Sequence, residues 1–144
     1  MHYVAWVVAQ DEAELRSVLD PYNLSKHQTQ ACSRCPATDR CDPVCMENPQ
    51  GRWDGWIIGG RWESVFGADT LTASACLDGI SSGWPGTEER LPYSFVTEQG
   101  WIDSERWLGP KLGYEPNPAF ESVVRQGLNA LTEPERVFVV DYRR

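Results

Sequence analysis

The chain has 144 residues, 41% hydrophobic and 24% charged, which fits one folded core and excludes disorder along its whole length. Its formal net charge is −8, and no run of Lys or Arg exceeds Arg143-Arg144. Phosphate surfaces repel such a chain, so general nucleic-acid binding and attraction to anionic membranes are disfavoured.

Tyr3 to Ala9 is a run of β-branched, aromatic and small residues that predicts a buried strand. The run lacks a basic leader, so it does not read as a signal peptide, and no stretch reaches the roughly 20 apolar residues that span a bilayer. The expected compartment is the cytoplasm, where thiols stay reduced. Asp11 and Glu14 have the spacing of a capping box, and Leu15, Val18, Leu19 and Tyr22 form one helical face behind it. Pro21 and Asn23 are expected to end that helix.

From Ser25 to Gly51 the sequence turns polar and loses periodicity, which predicts an irregular insertion over 25–51 in a single domain 1–144. Apolar and aromatic residues return from Trp53 to Phe66, read as a strand bent or bulged at Gly59-Gly60. Thr70 to Leu77 is a further candidate strand, and Ser81 to Arg90 a loop. Tyr93–Thr97 and Trp101–Asp103 flank a plausible hairpin turn, followed by a Gly/Pro loop over 108–116. Asn117-Pro118 opens a helix whose face carries Phe120, Val123, Val124, Gly127 and Leu131. Gly127 weakens that helix and is expected to allow close packing on a sheet. Val137 to Tyr142 is the clearest strand. The order β-α-β-β-α-β predicts an α+β fold, a ferredoxin-like split βαβ sandwich with antiparallel strands, two helices on one face, and a zinc-binding insertion after the first helix.

Cys32, Cys35, Cys41 and Cys45 are spaced C-x2-C-x5-C-x3-C. In a reducing compartment four thiolates this close suit a tetrahedral zinc ion. The span matches a zinc knuckle, with the third ligand shifted and Cys in place of His. An iron–sulfur cluster, two disulfides and a Cys-x2-Cys redox pair compete with zinc, each at odds with the spacing, the compartment or the local Pro36. Four thiolates close the metal shell, so the expected Zn2+ is structural. Arg34 and Arg40 are balanced by Asp39 and Asp42, and the cluster holds no aromatic residue, so single-strand binding through the knuckle is the weaker reading. His27 reads as a surface residue rather than a reserve ligand, and Cys76 as a buried small hydrophobe.

Seven Trp is a high count at this length. Trp53, Trp56 and Trp62 fall within Asn48-Pro49-Gln50-Gly51-Arg52-Trp53-Asp54-Gly55-Trp56-Ile57-Ile58-Gly59-Gly60-Arg61-Trp62. Gly59-Gly60 permits close backbone approach, the indoles offer stacking faces, and Arg61 offers a fork for a carboxylate or phosphate or a partner for Asp54. Trp53, Asp54, Trp56, Gly59, Gly60, Arg61 and Trp62 are therefore candidate contacts for a ligand or protein partner, against the plainer reading that they pack a core. The segment resembles the pattern N-P-x-x-[KR]-W-D-x-[WY]-x-I-G-G-R-W of a family of uncharacterised proteins from phages, chiefly of actinobacteria, and from bacterial genomes. Members often carry W-D-W-Y where this chain has Trp53-Asp54-Gly55-Trp56, and end in a strand like Val139-Val140-Asp141. The resemblance implies no activity and no catalytic residue. With His2 and His27 outside the motif and no nucleophile–base pair visible, a binding module is expected ahead of an enzyme using Asp54 and Arg61 on a nucleotide-like or anionic ligand.

Overall fold

The computed structural model describes residues 1–25, 48 and 50–144. The four clustered cysteines, and with them the zinc expectation, lie outside the described residues. Two long strands form the centre. β1 (His2–Ala9) and β8 (Arg136–Arg143) pair antiparallel from His2↔Arg143 to Ala9↔Arg136. Side chains alternate across a strand, so Val4, Trp6 and Val8 join Val137 and Val139 on one face. Ala5, Val7 and Ala9 join Phe138, Val140 and Tyr142 on the other. Both faces are buried, which is why these strands read as nearly continuous apolar runs.

β4 (Ser94–Thr97) lies beside β1 in parallel, with Trp6 opposite Phe95, and the predicted hairpin carries the chain into β5 (Gly100–Asp103) at the sheet edge. Beyond β8, β2 (Gly55–Ile58) and the short β3 (Thr70–Leu71) pair antiparallel with successive parts of that strand. The order is β2-β8-β1-β4-β5, a mostly antiparallel sheet in an α+β fold. The expected all-antiparallel sandwich differs here, because β4 sits directly beside β1 and runs with it.

The helices also depart from the expected single layer. α1 (Glu12–Leu19) presents Leu15, Val18 and Leu19 to the Ala5–Val7 face. α2 (Glu63–Phe66), α3 (Ala73–Ser82) and α4 (Phe120–Asn129) cover the Trp6 face with Phe66, Cys76, Ile80, Phe120, Val124 and Leu128. A sheet whose central strands are apolar on both sides requires cover on both, and a single helical layer cannot provide it. Trp6, Phe66 and Trp84 fill the space beneath α2 and α3, with ring centroids 5.2 to 6.0 Å apart.

Capping decides several boundaries. Asp11 accepts from the Glu14 N–H (2.9 Å), while the Glu14 carboxylate turns back to the Gln10 N–H (3.1 Å). The expected strand over 70–77 stops after two residues, because Thr72 accepts from the Ala75 N–H and starts α3. The expected strand over 53–66 ends at Ile58: Gly59 and Gly60 take φ of 74° and 55°, and the chain leaves the sheet into a 310 turn over 60–62 and then α2. The loop expected over 108–116 instead closes a ribbon of β6 (Glu105–Trp107) and β7 (Tyr114–Pro116).

Candidate functional site

The motif divides at its glycines between the two faces of the sheet. Its first half belongs to α1. Asn48 donates from Nδ2 to the carbonyls of Pro21 (2.6 Å) and Asn23 (3.0 Å), tying the start of the motif to the residues that precede the insertion. The Arg52 and Trp53 N–H groups both reach the Tyr22 carbonyl, and the Trp53 indole donates to the Leu19 carbonyl (2.9 Å). Trp56 stands edge-on to Trp53 and under the Arg16 guanidinium, whose carbon is 5.3 Å from the ring centroid. Asp54 pairs with Arg143 (3.4 Å) and is 52% exposed. Trp53 and Trp56 line an open depression on this side, but they chiefly pack α1 against the sheet edge.

The second half wraps over β8. The Gly59 N–H donates to the Val139 carbonyl (2.7 Å), which lays the turn on the strand. Asp141 follows in that strand, 4% exposed among apolar residues. Its Oδ2 accepts from the Arg61 N–H (3.2 Å) and lies 3.6 Å from the Arg61 Nε, while its Oδ1 is 2.8 Å from His2 Nδ1. A carboxylate only accepts, so the proton of that last bond sits on Nδ1. No described residue partners Nε2. The Arg61–Asp54 pairing considered from sequence is therefore corrected: Arg61 joins Asp141, and Asp54 is held elsewhere by Arg143. Gly60 is required here on two counts. Its φ is left-handed, and a Cβ on it would stand 2.6 Å from both Cβ and Oδ2 of Asp141.

Beside this cluster lies a cleft of about 340 Å³ lined by His2, Tyr3, Trp62, Glu89, Tyr93 and Ser104, among others. Trp62 carries a buried indole N–H with no hydrogen-bond partner among the described residues. Burial, then the Asp103 and Glu105 carboxylates, push the Tyr93 hydroxyl up to about 12. The cleft thus combines aromatic walls, Trp62 among them, with an oriented imidazole, a neutral phenol and one carboxylate. Of the seven candidate residues, Trp62 lines the cleft; Gly60 and Arg61 meet Asp141 beside it and Gly59 bonds the Val139 carbonyl, whereas Trp53, Asp54 and Trp56 lie elsewhere. His2 and Asp141 lie outside the Asn48–Trp62 motif, although the sequence resemblance extends to Val139-Val140-Asp141. The available signal was a lone acid inside an otherwise apolar buried strand.

A second polar cluster lies on the α1 face. The Ser94 hydroxyl donates to Asp103 (2.6 Å) and meets the Tyr142 hydroxyl (2.7 Å), and the Trp101 indole donates to the same Asp103 oxygen (2.7 Å). Ser94 and Tyr142 are fully or nearly fully buried, and burial pushes the pKa of the Tyr142 hydroxyl up, which disfavours its ionisation. The network is satisfied and closed, a structural arrangement that joins β4, β5 and β8. Among the described residues no group of three or more His, Cys, Asp and Glu side chains is placed to hold a metal, and no helix is long and apolar enough to cross a membrane. Compared with known proteins, the chain matches no family model, no curated protein and no solved structure.

Proposed function

We propose that the protein is a small binding module, in a phage-related setting, that holds a flat small molecule in the cleft beside His2 and Trp62. One observation carries this reading: a buried carboxylate, Asp141, spends its hydrogen bonds on orienting His2 and the Gly59–Trp62 turn next to an aromatic-lined cleft. Burying a charge is costly unless its partners are fixed, and fixed partners at a cleft are what ligand recognition needs. A heteroaromatic ring with donors and acceptors on its edge, such as a nucleobase or nucleoside, suits these walls. The zinc reading belongs to the same proposal: a closed tetrathiolate would staple the insertion whose two ends Asn48 brings together. The direct test is thermal-shift titration with a panel of nucleobases and nucleosides. A saturable stabilisation that disappears in His2→Gln and Trp62→Phe supports the reading. No saturable shift across the panel, or a shift retained in both variants, overturns it.

The dyad also favours a second reading, an enzyme acting on that ligand, since His2 bonded through Nδ1 keeps Nε2 for proton transfer. Chemical change of a bound panel member by the parent protein, lost in His2→Gln while binding persists, would decide for it. Binding with no product at long incubation decides for the module.

A further inference from the structure

A groove of about 430 Å³ separates α4 from the β4–β5 hairpin, apart from the cleft at His2. Phe95, Ile102, Val123 and Gly127 give it apolar walls. Toward the hairpin turn it adjoins a second depression that shares Thr97, Gln99, Gly127 and Ala130 with it and is lined by Glu14, Glu98 and Glu135. Among the described residues neither lining contains Lys, Arg or His. The combined trough is thus apolar along its length and acidic at one end.

One wall of the trough is a sheet edge. β5 pairs with β4, and among the described residues no strand pairs with its other side. Two bonds reveal which of its main-chain groups face out. The Ser104 N–H donates inward to the Tyr93 carbonyl. The Asp103 carbonyl instead accepts from Asn117 Nδ2 (3.1 Å), on the side away from that pairing. Successive residues of a strand turn their main-chain groups to opposite edges, so Trp101 presents its N–H and C=O outward as Asp103 does. Asn117 covers the edge at Asp103, and among the described residues nothing bonds the outward main chain of Trp101.

We propose that this edge and trough bind an extended peptide, added as a strand beside β5. Its aliphatic side chain fills the groove, and a Lys or Arg on the same face reaches the acidic end. Main-chain bonds to Trp101 supply sequence-independent affinity, and the groove supplies selectivity. Same-face side chains recur every second residue, so the aliphatic and basic positions are two apart. Charge sets the sign of the partner. Glu98 has no charged partner among the described residues. Among the same residues Glu14 and Glu135 bond only neutral groups, at Gln10 and Thr132, so none of the three carboxylates has a charged partner there. Acidic peptides and nucleic acids are repelled from this end.

The experiment pans a random-peptide phage library on the full-length protein, then titrates synthesised consensus peptides by fluorescence anisotropy. Two exposed positions supply variants: Ala130→Trp fills the groove from the end of α4, and Glu98→Lys reverses a rim charge. The consensus is expected to carry an aliphatic and a basic residue two positions apart, with the residue between them unselected. Ala130→Trp is expected to weaken binding about thirtyfold and Glu98→Lys about fivefold, with unchanged melting curves. His2→Gln is expected to leave binding intact, which separates this site from the cleft. No enrichment, an acidic or non-aliphatic consensus, or unaltered binding by Ala130→Trp overturns the proposal.

Discussion

His2 Nδ1 lies 2.8 Å from Asp141 Oδ1, although the two residues stand 139 positions apart in sequence. The register of β1 against β8 puts Val4 opposite Asp141, which brings His2 diagonally alongside it on the same face. The bond therefore fastens the N-terminal strand, the C-terminal strand and the Gly59–Trp62 turn at one buried oxygen pair.

Asp141→Ala removes the acceptor for His2 and for Arg61 together. Arg61 is 57% exposed and recovers water, so its share is discounted. The expected loss is about 2–3 kcal/mol, and about 1 kcal/mol for Asp141→Asn, which keeps one acceptor. Urea denaturation of the two variants checks the ranking. Equal losses would mean that hydrogen bonding at Asp141 contributes little beyond its charge.

Gly60→Ala meets both a left-handed backbone and the Asp141 side chain. Gly67 is the matched control, since its φ of 80° is similar but a Cβ there meets nothing within 4 Å. Gly67→Ala is expected to cost about 1 kcal/mol from backbone strain alone, and Gly60→Ala about 3 kcal/mol. The difference between their denaturation midpoints measures the contact with Asp141.

Much of the scaffold was legible because local signals agreed with tertiary need. β1, α1, the β4–β5 hairpin, α4 and β8 all carry unambiguous periodicity or caps, and Gly127 does pack on Phe95, where a Cβ would stand 2.5 Å from the ring. The run Thr70–Leu77 failed because small residues such as Ala73, Ser74 and Ala75 fit either period, and the Thr72 cap settled the matter. Sheet order and helix faces were not legible, since they depend on which strand β4 joins. The candidate site was half legible for the same reason. Gly59-Gly60-Arg61-Trp62 stands out locally, whereas His2 and Asp141 meet only through strand register.

Cys76 gives a prediction in pH. It is fully buried in α3, and desolvation pushes its thiol from 9.0 up to about 12. The folded state therefore keeps its proton where the unfolded chain has lost it, so unfolding is favoured as pH rises. The stability that rests on the neutral thiol is complete below about pH 9 and falls as pH climbs toward 12. About 2 kcal/mol is expected to be lost by about pH 10.5. Melting temperatures between pH 8 and 10.5, compared with Cys76→Ala, check this: the variant's profile should be flatter, whatever its stability at neutral pH.

The same buried thiol makes the cysteine cluster testable by counting. The chain has five cysteines, and Cys76 is sequestered in the core. If Cys32, Cys35, Cys41 and Cys45 hold zinc, metal analysis should return about one zinc per chain, with no visible absorbance. Native protein should then react slowly with a thiol reagent, and a strong chelator should release the zinc and expose four thiols. Denaturant should add the fifth, from Cys76. Each rival leaves a different record. Two disulfides would leave only Cys76 titratable, and only after unfolding. An iron–sulfur cluster would colour the protein and yield iron in place of zinc. A free redox pair would expose reactive thiols without any chelator. Chelation should also loosen the residues that Asn48 ties together at Pro21 and Asn23, because a metal that closes the insertion shares its constraint with that bond. Hydrogen exchange at Asn23, Leu24 and Gly51, before and after chelation, reads that coupling, and unchanged exchange would confine the metal's effect to the insertion.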